Sequence, residues 1–227
     1  MKSFKITPCE SWYTNRNDNR RKGKFITKTI DAFYHSDYQG GNDALRNTVG
    51  TVENVICTVK NQFLDKSQAV LKNVCENLIE ILKEDLPKIL QISGKNNLSV
   101  CVIPRSKAEM SYDQSQLLFK KCVGFVAQNL QGFSDCTTYI IRHTDTRTTH
   151  LDKSGHGGRG DLPYPGITCD TCTISEDVNG KNILLIDDLY TKSVNIDEDA
   201  IQALLDKGAN SVLFYSIGKT IEKNLFL

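Results

Sequence analysis

The chain has 227 residues, of which 39% are hydrophobic and 24% charged, with a formal net charge of +1. That length buries a core without disulfide or metal staples, and the near-neutral balance excludes a general attraction to nucleic acid or anionic membrane, so an anionic ligand needs a local site. No apolar run is long enough to span a membrane, and MKSFKITPCESWYT lacks the apolar core of a signal peptide, so a cytoplasmic protein with no membrane partner is expected.

The segment to about Lys24 is polar and locally basic (Arg16, Arg20, Arg21, Lys22, Lys24), and a solvated or extended arm is preferred over a nucleic-acid patch. FITKTIDAFYHSDYQGGNDALRNTVGTV then mixes aromatics with Gly40-Gly41 and holds a strand or short helix before a turn. From about Ser67 to Leu90, Val70, Leu71, Val74, Cys75, Leu78, Ile81 and Leu82 recur at helical spacing, which predicts a long amphipathic helix that Pro87 ends or kinks. After the turn signal at 93–96, apolar strands alternate with amphipathic helices. Strands are expected at 98–103, 137–143, 181–187 and 210–218, helices at 111–130 and 197–208, and a long glycine-rich lid loop at about 144–175. The pattern is α/β, a mainly parallel twisted sheet covered on both faces. The division expected is an arm, hood and long helix over 1–95 and a core over 96–227. Of eight cysteines, Cys57, Cys75, Cys101 and Cys122 lie in apolar stretches and read as reduced, buried packing residues.

In such a sheet, ligands bind where loops leave the carboxyl ends of the strands. The first such loop carries Arg105, Ser106 and Lys107 behind Pro104, which suits a small polyanion or a plain solvated turn. The second, Arg142 to His150, is crowded with polar and charged side chains, including Arg147. The third follows the most hydrophobic strand, NILLIDDLYTKSVNIDEDAI. Asp187 and Asp188 supply acceptors for paired hydroxyls and hard ligands for magnesium. Thr191 to Asn195 offer backbone N–H groups and hydroxyls before a helix start, the parts of a phosphate site. The plainer alternative is that the acids end a strand and Asn195 caps a helix.

These segments resemble the type I phosphoribosyltransferases, and within them the ComF-like, amidophosphoribosyltransferase-related branch. ILLIDDLYTKSVNIDEDAIQALLDKGA is similar to its hydrophobic strand, acid pair, phosphate loop and helix. VCVIPRSKAEMSYDQSQLLFKKC resembles its pyrophosphate loop and following helix, and IIRHTDTRTTHL the start of its flexible loop. The resemblance spans roughly 98–218 and implies binding of phosphoribosyl pyrophosphate, or a related ribose-phosphate nucleotide, with magnesium. It implies that Asp187 and Asp188 hold the ribose hydroxyls and the metal. Tyr190, Thr191, Lys192, Ser193, Val194 and Asn195 would form the 5-phosphate loop. Arg105, Ser106 and Lys107 would take the pyrophosphate, helped by Arg142 or Arg147, and Asp187, Asp188 and Arg142 are the implied catalytic residues. The implied reaction displaces pyrophosphate at the anomeric carbon in favour of an acceptor, with a hood over 1–95 recognising that acceptor. The family's Thr-Gly-Ala-Thr core reads Lys192-Ser193-Val194-Asn195, placing side chains where glycine normally lets backbone approach phosphate.

Two further expectations stand beside these. His150, His156, Cys169 and Cys172 form a zinc-like set, although one Cys-x-x-Cys and histidines six apart make unbonded loop residues the preferred reading. The chain is either a phosphoribosyltransferase or a non-catalytic nucleotide-sensing or effector module in a multi-component bacterial system such as phage defence. A homo-oligomer or protein partner stays open.

Overall fold

The structure is a computed structural model and describes residues 1–14, 19–148 and 157–221. In chain order the strands and helices are β1 Lys2–Ile6, β2 Glu10–Thr14, β3 Arg20–Lys24, β4 Ile30–Tyr38, α1 Asp43–Asn47, α2 Val52–Val59, α3 Gln68–Ser93, β5 Leu98–Val102, α4 Leu118–Asn129, β6 Phe133–Asp135, β7 Ile140–Arg142, α5 Ile167–Thr171, β8 Cys172–Ile174, β9 Asn182–Tyr190, α6 Ile196–Asp206 and β10 Ser211–Thr220.

Six strands form one sheet in the order β1-β4-β10-β9-β5-β6. All neighbours are parallel except the edge pair β1–β4, which is antiparallel. The centre is β9, where Ile183, Leu184, Leu185 and Ile186 are all buried because both faces are covered. Leu184 and Ile186 join Val100, Tyr215 and residues of α2, α3 and α4 in one core, including Val55, Leu82 and Val126. Ile183 and Leu185 join Cys101, Phe214 and Ile201 and Leu204 of α6 in the other. The α/β class and mainly parallel sheet therefore match the sequence pattern. The N-terminal part is not set apart from this sheet, since it supplies both β1 and β4.

Several elements differ from expectation for local physical reasons. The basic arm is not an extended arm but folds partly as β1 and partly as a β2–β3 hairpin. Pro87 lies inside α3, where its ring is exposed and the carbonyl it deprives of a partner belongs to exposed Lys83, open to water. Helix α4 starts late because 109–111 and 114–116 wind into 3-10 turns, the second capped by Asp113, which accepts from Ser115 N at 2.8 Å. The strand beside β5 is β6 rather than the 137–143 segment. The Asp135 carboxylate accepts from Thr137 N at 3.0 Å and ends β6 in a turn. β7 then pairs antiparallel with β8, keeping Ile140 buried and Ile141 exposed. The expected lid loop thus contains α5 and β8.

A buried polar knot joins one face to the chain start. Asp85 of α3 is fully buried, accepts from the Tyr215 hydroxyl at 2.9 Å and meets His35 Nδ1 at 2.9 Å, with the N-terminal ammonium 3.9 Å away. Those partners keep its carboxyl below the usual range despite burial. Removing it strands a buried hydroxyl and an imidazole, so Asp85→Ala is expected to cost about 3 kcal/mol and Tyr215→Phe about 1 kcal/mol. Urea unfolding of both variants measures this, and equal small losses would assign the knot no special weight.

Candidate functional site

The carboxyl ends of β5, β9 and β10 bring the sequence-predicted loops together. Ile103 N donates to Ile186 O at 3.0 Å, so the loop through Arg105 begins beside the acid pair. Strand β9 does not stop before the acids but runs through them to Tyr190. Strand alternation sends the two acids to opposite faces. Asp187 meets Asp197 in the first turn of α6, within hydrogen-bonding reach. Asp188 meets Lys60, the residue that caps α2, with Nζ 2.9 Å from Oδ2. The alternation then slips: Leu189 packs with the α2-side core and Tyr190 with the α6-side core. Opposite them, Gly218 has no room for a Cβ, which would lie 2.7 Å from Ile56 Cδ1.

Burial and the neighbouring Asp188 push the Asp187 carboxyl up to about 7, and burial beside Asp187 holds Asp197 well above the usual carboxylate range. Lys60 is raised by its acid neighbours in spite of burial. The other acids of the α6 turn are occupied. Glu198 accepts from the Tyr190 hydroxyl at 2.8 Å, and Asp199 accepts from Gly166 N at 2.5 Å and Thr168 N at 2.7 Å, capping α5. Tyr190 is therefore a buried wall residue rather than a loop residue.

The phosphate-loop candidate 191–195 is a turn closed by Val194 N to Thr191 O at 2.9 Å. Thr191 shares a hydroxyl contact with Thr220 at 2.7 Å, and Lys192 and Ser193 are exposed at its tip. The left-handed residue is Asn195, at φ 62°, not Ser193. Asparagine tolerates that conformation, so the absence of glycine at 193 adds no backbone strain. Asn195 does not cap α6 through its side chain; its Oδ1 accepts from Ser11 Oγ at 3.2 Å.

The pyrophosphate-loop residues divide. Arg105 is turned inward, donating to Lys60 O and Gln116 O at 2.7 Å and to Gln62 Oε1 at 2.5 Å, and it stacks on Tyr112. Ser106 shares a hydroxyl contact with Thr148 at 2.7 Å. Lys107 is exposed, with its backbone N–H on Tyr112. Arg142 is buried, donating to Arg105 O at 2.8 Å and Thr171 Oγ1 at 2.5 Å, and burial lowers its pKa. As a pin between two loops it is placed to position them rather than to meet a ligand. Arg147 is exposed and donates to Gly160 O at 3.0 Å. This lid segment is tied down: Thr146 N donates to Ser106 O at 2.7 Å, and Arg147 N donates to Asp161 O at 3.0 Å. Gly160, at φ 105°, lets Asp145 O pass 2.4 Å from where a Cβ would stand.

Among the described residues no group of three or more His, Cys, Asp or Glu could hold a metal ion. A magnesium ion that arrives on a pyrophosphate needs only one or two carboxylates beside phosphate and water oxygens, and Asp187 and Asp188, on opposite faces of β9, would each have to leave their present partners to supply them. They do not form a protein-only cage. Of the zinc-like set, His150 and His156 lie outside the described residues. Cys169 is exposed on α5 and Cys172 is buried at the start of β8, and burial raises both thiols, which disfavours the thiolate a metal needs. All eight cysteines are free; Cys101 and Cys122 are buried, whereas Cys57 and Cys75 are only half-buried. A cavity of about 440 Å³ lies at the opposite sheet edge, lined by Asn97, Ser99, Asp135 and Lys181, remote from the acid pair. No helix of the described residues is long and apolar enough to cross a membrane.

Sequence reasoning missed Lys60 and Asp197. The run of acids opening α6 was the available signal for Asp197, while nothing near Lys60 announces a partner on β9. The chain matches no protein-family model and no curated protein.

Unfolded aspartate ionises near pH 4, whereas Asp187 ionises near pH 7 in the fold. The folded state therefore keeps an extra proton between those values, and the stability this contributes is fully present below pH 4 and lost as pH rises towards 7. Asp197, itself held protonated beside Asp187, donates to it; in Asp197→Asn an amide takes over that donation and the second pH-linked proton, the one on Asp197, is gone. The variant is expected to lose less melting temperature than wild type between pH 5 and pH 8 by scanning calorimetry. Parallel curves would remove the carboxyl pair as the cause.

Proposed function

We propose that the carboxyl edge of β5, β9 and β10 is a phosphoribosyltransferase-like site that binds phosphoribosyl pyrophosphate, or a ribose-phosphate nucleotide, with magnesium. The observation that carries this reading is the acid pair near the carboxyl end of a central parallel strand, followed by an exposed turn and the start of α6. Asp188, and Asp187 once ionised, would accept the ribose hydroxyls. The tip of the 191–195 turn, with Lys192, Ser193 and the N-terminal end of α6, would take the 5-phosphate. Exposed Lys107 is a cation that would meet a pyrophosphate leaving group. Magnesium would neutralise that group. The protein's own part is to hold the sugar and pyrophosphate in line and to keep Asp187 and Asp188 in place. The acceptor would meet the anomeric carbon from the side of 1–95.

A second reading, a non-catalytic nucleotide-sensing or effector module, is favoured by one observation: Arg105 and Arg142 both donate to protein atoms, which thins the cationic clamp a leaving pyrophosphate requires. Such a module fits a multi-component bacterial system such as phage defence, acting with a protein partner.

Calorimetry with phosphoribosyl pyrophosphate and magnesium tests both. Wild type is expected to bind and Asp187→Asn/Asp188→Asn to lose at least tenfold in affinity. Pyrophosphate release with a base or amine acceptor supports transfer; binding without release across a panel supports sensing. No binding by folded wild type overturns both readings.

A further inference from the structure

The β2–β3 hairpin presents one exposed face that the acid-pair site does not use. Its register sets Trp12 opposite Lys22, Thr14 opposite Arg20 and Glu10 opposite Lys24, so these six residues share a face. Trp12 is 54% exposed, an unusual position for the only tryptophan of the chain. The Arg20 guanidinium lies 4.5 Å from the centre of its ring and the Lys22 ammonium 5.2 Å. Arg20, Lys22 and Lys24 are all exposed, and Glu10 is the single acid among the six. They alternate along β3 at roughly 7 Å intervals, and two of them lie over the Trp12 ring while about half of that residue stays exposed.

The other face of the ribbon is anchored. Tyr13 packs across Gly23, whose Cβ position would lie 2.9 Å from the Tyr13 ring and 3.1 Å from Pro165. Tyr13 also meets Phe25 edge-on, and Ser11 bonds Asn195. The exposed face is therefore held in a fixed direction, and a flat ring flanked by cations is already assembled on it.

We propose that this face binds single-stranded nucleic acid, a base stacking on Trp12 while Arg20, Lys22 and Lys24 meet the flanking phosphates. Charge and ring together select this occupant. Cations attract any polyanion, but a half-exposed indole among them adds a surface on which unpaired planar bases stack, so a polyanion that carries such bases meets both features at once. A duplex hides those base faces in its stack. A lipid surface calls for several apolar side chains to insert, and Trp12 is the sole large apolar residue on the face. The inference is independent of the phosphoribosyl reading, because none of these residues belongs to the acid pair or its loops.

Because Trp12 is the only tryptophan, its fluorescence reports binding directly. Titration of the full chain with a twelve-nucleotide oligothymidylate at low salt is expected to quench it. The logarithm of affinity should fall with the logarithm of salt at a slope of about −2 for three phosphate contacts. Fluorescence anisotropy of a labelled oligonucleotide serves the variants. Trp12→Ala is expected to weaken binding roughly tenfold and Trp12→Phe to restore part of it. Arg20→Gln/Lys22→Gln should weaken binding and lower the salt slope. Circular dichroism confirms folding, and should the double variant unfold, Lys22→Gln alone carries the comparison. Absence of quenching, equal affinity for a twelve-base-pair duplex, or tighter binding to phosphatidylserine vesicles would each overturn the proposal.

Discussion

The constraint on which the site depends is the crowding of carboxylates where β9 ends and α6 begins. Asp187, Asp188, Asp197, Glu198 and Asp199 converge there, and Asp197, Glu198 and Asp199 are almost fully buried. Isolated buried charges are too costly to keep, so each must be neutralised, paired or hydrogen-bonded. The fold uses all three routes. Burial beside Asp187 keeps Asp197 protonated and hydrogen-bonded to it, Asp188 takes Lys60, and Glu198 and Asp199 accept from Tyr190 and from the backbone of α5. The positive end of α6 adds to each of these. The consequences reach far from the acids: α2 must end where Lys60 can reach β9, and α5 must dock on α6 so that Asp199 can cap it.

The same crowding explains why two adjacent acids can behave differently. On a strand, neighbours face opposite ways, and the two faces here are dressed by different elements. Asp188 meets a cation and Asp187 another acid. Burial and like charge push the Asp187 carboxyl up to about 7, so near neutral pH it is poised between its neutral and charged forms. For a ligand that presents hydroxyls, a carboxyl in that state offers either a proton donor or an acceptor.

Much of the frame was legible from the sequence because it rests on periodicity. The continuous apolar runs of β5, β9 and β10, and the helical spacing of α3 and α6, mark a parallel sheet covered on both faces, and the structure has one. Two kinds of feature escaped. Short segments such as β7 have one buried and one exposed face, and three residues are too few for alternation to reveal it. Long-range side-chain pairing escaped as well. The Lys60–Asp188 pair and the inward turn of Arg105 onto the Lys60 carbonyl arise only when α2 docks against the sheet edge, and no local pattern encodes that meeting. Ser193 is the instructive case: local chemistry marks it as a bad replacement for glycine, but the chain places its left-handed residue at Asn195 instead.

On the phosphoribosyl reading, Lys60 turns from an obstacle into part of the binding step. Its ammonium occupies one of the two Asp188 oxygens that ribose hydroxyls would share. Pulling it away into nothing would leave a largely buried cation unpaired, a penalty of several kcal/mol that hydroxyl hydrogen bonds of about 1.5–3 kcal/mol each could not repay. A ligand carrying phosphates changes that balance, because a phosphate oxygen replaces the carboxylate as partner and the cation stays paired throughout. Asp188 is then released to accept hydroxyls at little net electrostatic cost. A bare ribose lacks the anion that drives the exchange, and a simple phosphate lacks the hydroxyls that reward it. On that reading, the pairing of Lys60 with Asp188 would favour ligands that carry both groups on one molecule.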